Sequence, residues 1–258
     1  MVPDAPFAAG PGGRFENAET PAIPAATVIL LRDGRSGLEA LMVHRSTRLQ
    51  FGGMWVFPGG RIDPDDYPVG EKGDELAIAG PEGRPDEGAV ASYELAAARR
   101  AATREAAEEA GLVVDEEGLV AFSHWTPPAL TPRRFSTWFF VAAAPEGSVT
   151  VDGGEIHDHA WVAPADALRR RDAGEIELAP PTWVTLHQLA GYADVPTAIA
   201  DARARAPEVF ATRLAPVDGG MVALYHGDAG YEDGVADRPG PRHRLWMLES
   251  GWRYERSA

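Results

Sequence analysis

One uninterrupted run of helix-forming residues constrains most strongly how this chain can fold. Residues 89–110 are rich in alanine and glutamate and contain neither glycine nor proline. Both alanine and glutamate favour the helical state. Gly111 follows directly, at a position where many helices end because glycine readily adopts a left-handed backbone conformation. The sequence therefore predicts one long helix that ends at Gly111.

The last turns of this predicted helix carry three glutamates. Glu105, Glu108 and Glu109 are three and four positions apart, so they project from one side of the helix. Like charges at this spacing repel, and a divalent cation relieves the repulsion because carboxylate oxygens are the ligands that Mg²⁺ and Mn²⁺ prefer. Considered alone, the same pattern is also typical of a solvated acidic helix face.

The remaining segments predict a mixture of strands and helices. Residues 26–32 and 38–44 are apolar and β-branched and flank a turn sequence, which indicates a hairpin. A short strand at 54–57 leads into Pro58-Gly59-Gly60. Further elements are strands at 119–124, 134–143 and 155–162, helices at 163–171 and 180–206 with an interruption at Pro196, and short strands over the last fifty residues. This mixed order favours an α/β (α+β) sandwich over a doubly wound parallel sheet.

Two segments are predicted to lack regular structure. Residues 1–22 are rich in glycine, proline and alanine without periodicity, so we expect a flexible N-terminal arm. Residues 63–88 contain nine acidic and two basic residues with several glycines and prolines, which indicates a loop-like insertion. The insertion is either a substrate lid or a plain surface loop.

Composition narrows the function classes. The 258-residue chain has a formal net charge of −15, so we expect no nucleic-acid partner that depends on neutralising phosphates. It has no cysteine, so a metal ion must be held by oxygen or imidazole. No segment has the length and apolarity of a membrane span or the pattern of a signal peptide, and we expect a cytoplasmic protein without a membrane partner.

Two separated segments resemble the signature of the Nudix hydrolases. That signature reads glycine, five residues, glutamate, seven residues, then Arg-Glu-U-x-Glu-Glu-x-Gly-U, where U is a bulky aliphatic residue. Its second half matches at Arg104, Glu105, Glu108, Glu109, Gly111 and Leu112. Its first glycine corresponds to Gly60, but Arg104 follows Gly60 by 44 positions instead of the fourteen of the signature. The resemblance therefore implies a box that is split by an insertion.

Counted back from Arg104, the first glutamate of the signature falls on Ala96, and the nearest acid is Glu94. In the family this glutamate supports the metal site without being its main ligand. Its replacement leaves three alternatives open, which are lower activity, transfer of the role to Glu94 or an insertion carboxylate, and a non-catalytic protein.

The resemblance also implies a fold and a set of roles. The fold is a Nudix-type α/β/α sandwich with a mixed sheet over residues 23–178, an insertion at about 63–88, and a C-terminal helical and β extension at 179–258 packed on it. Glu155 lies six residues before Trp161, where the family often has a further metal ligand or base. The implied metal ligands for Mg²⁺ or Mn²⁺ are Gly59 (through its carbonyl), Glu105, Glu108, Glu109 and Glu155, and Arg104 pairs with a glutamate and orients it. The implied catalytic residues are Glu105, Glu108, Arg104 and Glu155.

The implied activity is metal-dependent hydrolysis of a phosphoanhydride bond in a small molecule linked through a nucleoside diphosphate. Arg45-Ser46 and the segment 57–60 resemble the coenzyme A diphosphatase branch, and the insertion together with residues 131–140 resembles the nudix motif 19 type of coenzyme A hydrolase. Coenzyme A or acyl-coenzyme A is thus the expected substrate, and the alternatives are an ADP-ribose or NADH-type pyrophosphatase and a nucleotide-sensing module that does not cleave. The expected substrate contacts are Arg45, Arg48, Arg133, Arg134 and the ring of Trp125. The strands of the C-terminal extension either cover the core or form the contact of a homodimer.

Overall fold

A computed structural model describes residues 21–35, 37–46, 52–68, 87–129, 133–151 and 153–257, with backbone alone at 87–90. Residues 1–20 of the predicted arm, residues 69–86 of the predicted insertion, and Arg48 lie outside the described residues.

The predicted hairpin forms the centre of the main sheet. Strand β1 (Ile23–Gly34) pairs antiparallel with β2 (Gly37–Arg45), with Leu31 opposite Ala40. Successive side chains of a strand point to opposite faces. Accordingly Val28 and Leu30 enter one hydrophobic core, and Ile29 and Leu31 enter another. A strand with apolar side chains on both faces needs a covering layer on each side of the sheet.

Nine strands, counted over the described residues, form this mixed sheet. The others are β3 (Met54–Val56), β4 (Gly59–Arg61), β5 (Val120–Thr126), β6 (Phe135–Ala143), β7 (Ile156–Val162), β8 (Glu177–Leu178) and β9 (Glu208–Ala211). The order is β8-β3-β2-β1-β6-β5-β9, with β4 also beside β1 and β7 also beside β2. The pairs β1–β6, β3–β8 and β5–β9 are parallel, and the other pairs are antiparallel.

Helix α1 (Glu87–Ala110) covers one face of the sheet. Fully buried alanines on one side of it, among them Ala98, Ala102 and Ala106, pack on the β1 side chains Val28 and Leu30. Gly111 has φ +67° and ends the helix as the sequence predicts. Since alanine side chains are short, the helix axis can approach the sheet closely.

In the described part of the chain, three further helices lie on the opposite face, and together with α1 they confirm the α/β/α arrangement. They are α2 (Pro164–Asp172), α3 (Pro180–Leu189) and α4 (Val195–Ala204). The interruption predicted over 180–206 is present, but its predicted position at Pro196 is wrong, because the chain leaves helical geometry after Leu189 and Pro196 lies inside α4. Asp194 accepts a hydrogen bond from the Thr197 amide at 2.8 Å and caps α4, so Pro196 lies in a first turn where no amide is needed.

The chain ends in a four-stranded antiparallel sheet, which the predicted short strands anticipate. Its strands are β10 (Arg213–Val217), β11 (Gly220–Leu224), β12 (Arg242–Leu248) and β13 (Gly251–Ser257). Leu245 of this sheet shares one core cluster with Ile29 of β1 and Trp183 of α3. The core therefore runs across the predicted boundary at residues 178 and 179. No helix in the described part of the chain has the length and apolarity needed to cross a membrane.

Candidate active site

The candidate site lies where β4 meets the C-terminal turns of α1. Strand β4 pairs with β1, with Gly59 opposite Thr27, and this pairing places Gly59 and Gly60 against the helix. A Cβ atom on Gly60 would come within 2.2 Å of the Glu105 carboxylate, and one on Gly59 would come within 2.5 Å of the Ala26 carbonyl. Gly60 thus allows a close contact between β4 and α1, and Gly59 allows a close contact between β4 and β1, which larger residues would block.

Glu109 is the most deeply buried glutamate of the helix, with 4% of its surface exposed. Its Oε2 accepts a hydrogen bond from the Gly59 amide at 2.9 Å. Its Oε1 is buried and has no hydrogen-bond partner, although Arg45 Nη2 lies 3.5 Å away. Burial raises the pKa of Glu109 to about 7, against the opposing effects of Arg45 and the Gly59 amide. A buried carboxylate oxygen in this state lacks a fully compensating cation.

Glu105 and Glu108 share one arginine. Arg104 Nη1 donates to Glu105 at 2.8 Å and to Glu108 at 3.0 Å. The Glu105 side chain is largely buried, and burial raises its pKa although the Arg104 hydrogen bond opposes the shift. Glu108 is 58% exposed. The structure therefore brings all three predicted glutamates to one end of α1, with Glu109 innermost and Glu108 facing solvent.

Arg104 has a further carboxylate partner, Asp66, which was predicted only as one of the insertion carboxylates and was not singled out. Asp66 accepts from Arg104 Nε at 3.1 Å and from Nη2 at 2.9 Å, and Nη2 also donates to the Arg61 carbonyl at 2.9 Å. Asp66 is buried, which alone would raise its pKa, but the hydrogen bonds from Arg104 outweigh burial and the pKa is lowered. The same interactions raise the pKa of Arg104. This is a two-point ion pair of the strong, geometrically defined kind.

A signal for Asp66 was present in the sequence. Asp66 is the sixth residue after Gly60, the position at which the signature places its first glutamate. Counting forward from Gly60 finds this acid, whereas counting back from Arg104 leads to Ala96. Ala96 is a partly buried residue of α1, and the carboxylate that contacts Arg104 comes from the short 3-10 turn Pro64–Asp66.

Arg45 and Glu155 reach the site from the neighbouring strands. Arg45 ends β2, and its guanidinium lies 3.3 Å from Glu155 Oε2, 3.5 Å from Glu109 Oε1 and 3.5 Å from the Gly59 carbonyl oxygen. Glu155 precedes β7, and its carbonyl accepts a hydrogen bond from the Ser46 amide at 2.8 Å. The pairing of β2 with β7 therefore brings Glu155 to the same guanidinium as Glu109.

Arg133 and Arg134 lie directly before β6. The Arg134 carbonyl accepts from the Ile23 amide at 2.7 Å. Ala25 of β1 pairs with Arg61 of β4 on one side and with Thr137 of β6 on the other. Both arginines therefore lie at the same end of the sheet as the site.

Trp125 is placed in the core, which corrects the expectation that its ring stacks on a substrate. It is 3% exposed, and its ring stacks on Phe210 with centroids 3.8 Å apart. The ring of Tyr225 makes an edge contact with the Trp125 ring. The indole nitrogen of Trp125 donates a hydrogen bond to Ser123 Oγ at 3.0 Å. No face of the ring is open to a ligand.

The arrangement is rich in oxygen donors, but guanidinium groups lie among them. Within the part of the chain that the structure describes, no group of three or more histidine, aspartate or glutamate side chains is arranged to hold a metal ion directly. The donors nevertheless fit Mg²⁺ or Mn²⁺, because Glu109 Oε1 is buried without a hydrogen bond and all of the surrounding acceptors are oxygens.

Comparison with known proteins agrees with this geometry. Residues 77–181 match the model of the NUDIX domain family, a range that contains the three helix glutamates and Glu155 but excludes Gly60 and Asp66. No protein in the curated collection matches the chain.

Among solved structures, the chain is similar to a NUDIX hydrolase from Alicyclobacillus acidocaldarius, at 24% identity and TM-score 0.57 over 71% of this chain and 97% of that one. It is also similar to a MutT NUDIX hydrolase from Burkholderia pseudomallei, at 18% identity and TM-score 0.43 over 66% and 98% of the two chains. A third is the NUDIX domain of Shewanella oneidensis NrtR, solved with ADP ribose, at 16% identity and TM-score 0.43 over 66% and 86%. The family match covers residues 77–181, and the similarity to the first of these structures shows a Nudix fold.

Proposed function

We propose that the chain hydrolyses a phosphoanhydride bond in a nucleoside-diphosphate-linked small molecule, with Mg²⁺ or Mn²⁺ held at the end of α1. The observation that carries this proposal is the state of Glu109. Its carboxylate is buried, takes a backbone hydrogen bond from Gly59, and has one oxygen without a hydrogen-bond partner beside Glu105 and Glu108. Removing such a group from water is costly unless a cation compensates it.

The residues that would hold the ion are Glu105, Glu108, Glu109, the Gly59 carbonyl and Glu155. Bound there, a divalent cation would supply charge neutralisation on the departing phosphate and would polarise the attacking water. Glu155 is 59% exposed at the mouth of the site, and we assign it the role of accepting a proton from that water. Arg104 holds Glu105 and Glu108 in position through its two short hydrogen bonds.

Asp66 takes the part of the first acidic residue of the signature. It has the right spacing from Gly60, and it holds Arg104 at two points. On this proposal the insertion follows Asp66 and leaves the first half of the box intact. The main argument for a nucleotide-sensing protein that does not cleave was the replacement of the first signature glutamate by Ala96. A carboxylate at Asp66 that supports Arg104 removes this argument.

Coenzyme A or acyl-coenzyme A is the substrate that we propose, and an ADP-ribose or NADH-type diphosphate is the alternative. The support is Arg45-Ser46 together with the segment 57–60, which resembles the coenzyme A diphosphatase branch. Arg45, Arg48, Arg133 and Arg134 are the proposed phosphate contacts, since guanidinium groups bind phosphate at two points. Trp125 is removed from this set because its ring is buried.

The test is a panel of diphosphate compounds that includes coenzyme A, ADP-ribose and NADH, with Mg²⁺ or Mn²⁺ and identification of the products. We expect cleavage of one class, and a loss of about a hundred-fold in kcat for Glu105→Gln and Glu108→Gln. Glu117→Gln, at an exposed glutamate outside the site, is the matched control. Binding without cleavage would identify a sensor instead, and undiminished turnover in the Glu108 variant would contradict the assigned site.

A further inference from the structure

The guanidinium of Arg45 lies among oxygens that the proposed function gives to the metal ion. It is 3.5 Å from the Gly59 carbonyl, 3.5 Å from Glu109 and 3.3 Å from Glu155. These three groups come from β4, α1 and the segment before β7, and Arg45 comes from the end of β2. A positive charge of the protein itself thus lies within a set of metal ligands.

The contacts of Arg45 are long for such a buried position. Hydrogen bonds between charged nitrogen and oxygen groups are ordinarily about 2.7–2.9 Å long. The Arg45 side chain is 18% exposed, its Nε is buried without a hydrogen-bond partner, and Glu109 Oε1 also has none. The guanidinium compensates the charge of the carboxylates through long hydrogen bonds to Glu155 and the Gly59 carbonyl, and it forms no hydrogen bond with Glu109 Oε1. A smaller ion of higher charge can replace it there at little cost in lost hydrogen bonds.

The backbone of Arg45 is held, so an exchange needs only side-chain movement. Arg45 pairs with Ile156 of β7, its carbonyl accepts from the Gly53 amide at 2.9 Å, and the next amide, of Ser46, donates to Glu155 at 2.8 Å. The long arginine side chain then pivots from a fixed point next to the carboxylates. In that position its guanidinium remains within reach of a phosphate bound at the same oxygens.

We propose that Arg45 and the divalent cation compete for the same oxygens, and that Arg45, once displaced by the ion, becomes a ligand of the substrate diphosphate. This inference rests on the proposed function, because it takes the end of α1 as the metal site. Metal binding then prepares the substrate site, because it frees the Arg45 guanidinium to contact the phosphate. Arg45 accordingly opposes metal binding before the substrate arrives and favours diphosphate binding afterwards.

The first experiment measures Mn²⁺ affinity without substrate, from the free Mn²⁺ signal in electron paramagnetic resonance. We expect Arg45→Met to bind Mn²⁺ about five-fold or more tightly than the unchanged protein, within the usual range of coupling between two sites. Arg169→Met removes the same charge from an exposed position on α2 and should change the affinity by less than about two-fold, because exposed charges at a distance are screened. Arg45→Lys keeps the charge and provides a second variant if the methionine variant does not fold, with an expected affinity near that of the unchanged protein.

The second experiment measures binding of methylenediphosphonate, a non-hydrolysable diphosphate, at saturating Mn²⁺. We expect Arg45→Met to weaken this binding about five-fold or more. Unchanged or weaker Mn²⁺ binding in Arg45→Met would overturn the exchange even if the unchanged protein cleaves its substrate. Absence of any Mn²⁺ binding that Glu109→Gln reduces would instead overturn the metal site itself, so the two failures are distinguishable.

Discussion

Asp66 and Arg104 form a two-point ion pair although 38 positions separate them in the chain. Asp66 is buried, and the opposite side of the Arg104 guanidinium contacts Glu105 and Glu108. The carboxylate of Asp66 therefore determines where the arginine lies, and the arginine determines where the two glutamates lie.

Substitution of Asp66 tests this chain of contacts. We expect Asp66→Asn to lower kcat by about ten- to a hundred-fold with a small change in KM, because supporting residues of metal sites have effects of this size. Asp66→Glu, which restores the signature residue, should recover most of the activity. Asp65→Asn, at the exposed neighbour in the same turn, is the control. Equal activity of the Asp66→Asn and Asp65→Asn variants would show that Asp66 does not position Arg104 for catalysis.

Substitution of the two glycines of β4 should affect different properties, which are folding stability for Gly59 and metal binding for Gly60. A Cβ on Gly60 meets only the Glu105 carboxylate, whereas a Cβ on Gly59 meets the backbone of Ala26 and Thr27. We expect Gly59→Ala to cost about 1–3 kcal/mol of unfolding free energy, as overpacking does. Gly60→Ala should cost less than that and should reduce Mn²⁺ binding, since Glu105 must move. Urea unfolding and Mn²⁺ titration of both variants would reveal the difference, and equal stability loss would contradict it.

A buried ion pair stabilises the C-terminal sheet. Arg244 donates to Asp228 at 2.7 Å and 2.6 Å, and the amides of His243 and Gly230 donate to the same carboxylate at 2.8 Å. Removing one partner leaves the other charge buried, so Asp228→Asn should cost about 3–5 kcal/mol in urea unfolding. Glu232→Gln, which breaks an exposed pair with Arg213, should cost less than about 1 kcal/mol. Similar losses of unfolding free energy for the two variants would show that Arg244 is not left as an uncompensated buried charge in Asp228→Asn.

His124 should make the protein less stable in mild acid. Its ring stacks on Trp138 with centroids 4.4 Å apart, and burial lowers its pKa from the ordinary 6.5. Below pH 6.5 the unfolded chain therefore binds a proton at His124 more readily than the folded chain does. The stability that the neutral, buried ring contributes is present above pH 6.5 and is lost as the pH falls through the lowered pKa. Urea midpoints at pH 7.5 and 5.5 should differ less in His124→Gln than in the unchanged protein. The exposed His226→Gln variant should keep the full difference, and an equal effect of both substitutions would refute the assignment.

Features written in local sequence were predicted well. The end of α1 depends on Gly111, and the β1–β2 hairpin depends on two apolar segments around a turn. The helix break was misplaced at Pro196, because the cap formed by Asp194 was overlooked. In each of these cases the determining residues lie within a few positions of the feature.

The errors at the site concern contacts between distant residues. The assignment of Trp125 to the substrate was wrong because its ring is covered by Phe210 of β9 and by Tyr225, which directly follows β11, and both lie far along the chain. Asp66 was not singled out among the nine acids of the predicted insertion, because its partner Arg104 lies beyond that insertion. The positions of Arg45 and Glu155 depend on the pairing of β2 with β7, which no local pattern specifies.

The rings of Tyr67 and Tyr93 lie 5.4 Å apart, next to the contact between Asp66 and Arg104. These two contacts thus hold the chain on both sides of the segment between Tyr67 and Tyr93. Lengthening a loop whose ends are already held costs only about 0.6 kcal/mol per doubling. The segment between Tyr67 and Tyr93 can therefore change in length and sequence while Asp66, Arg104 and the glutamates of α1 keep their positions.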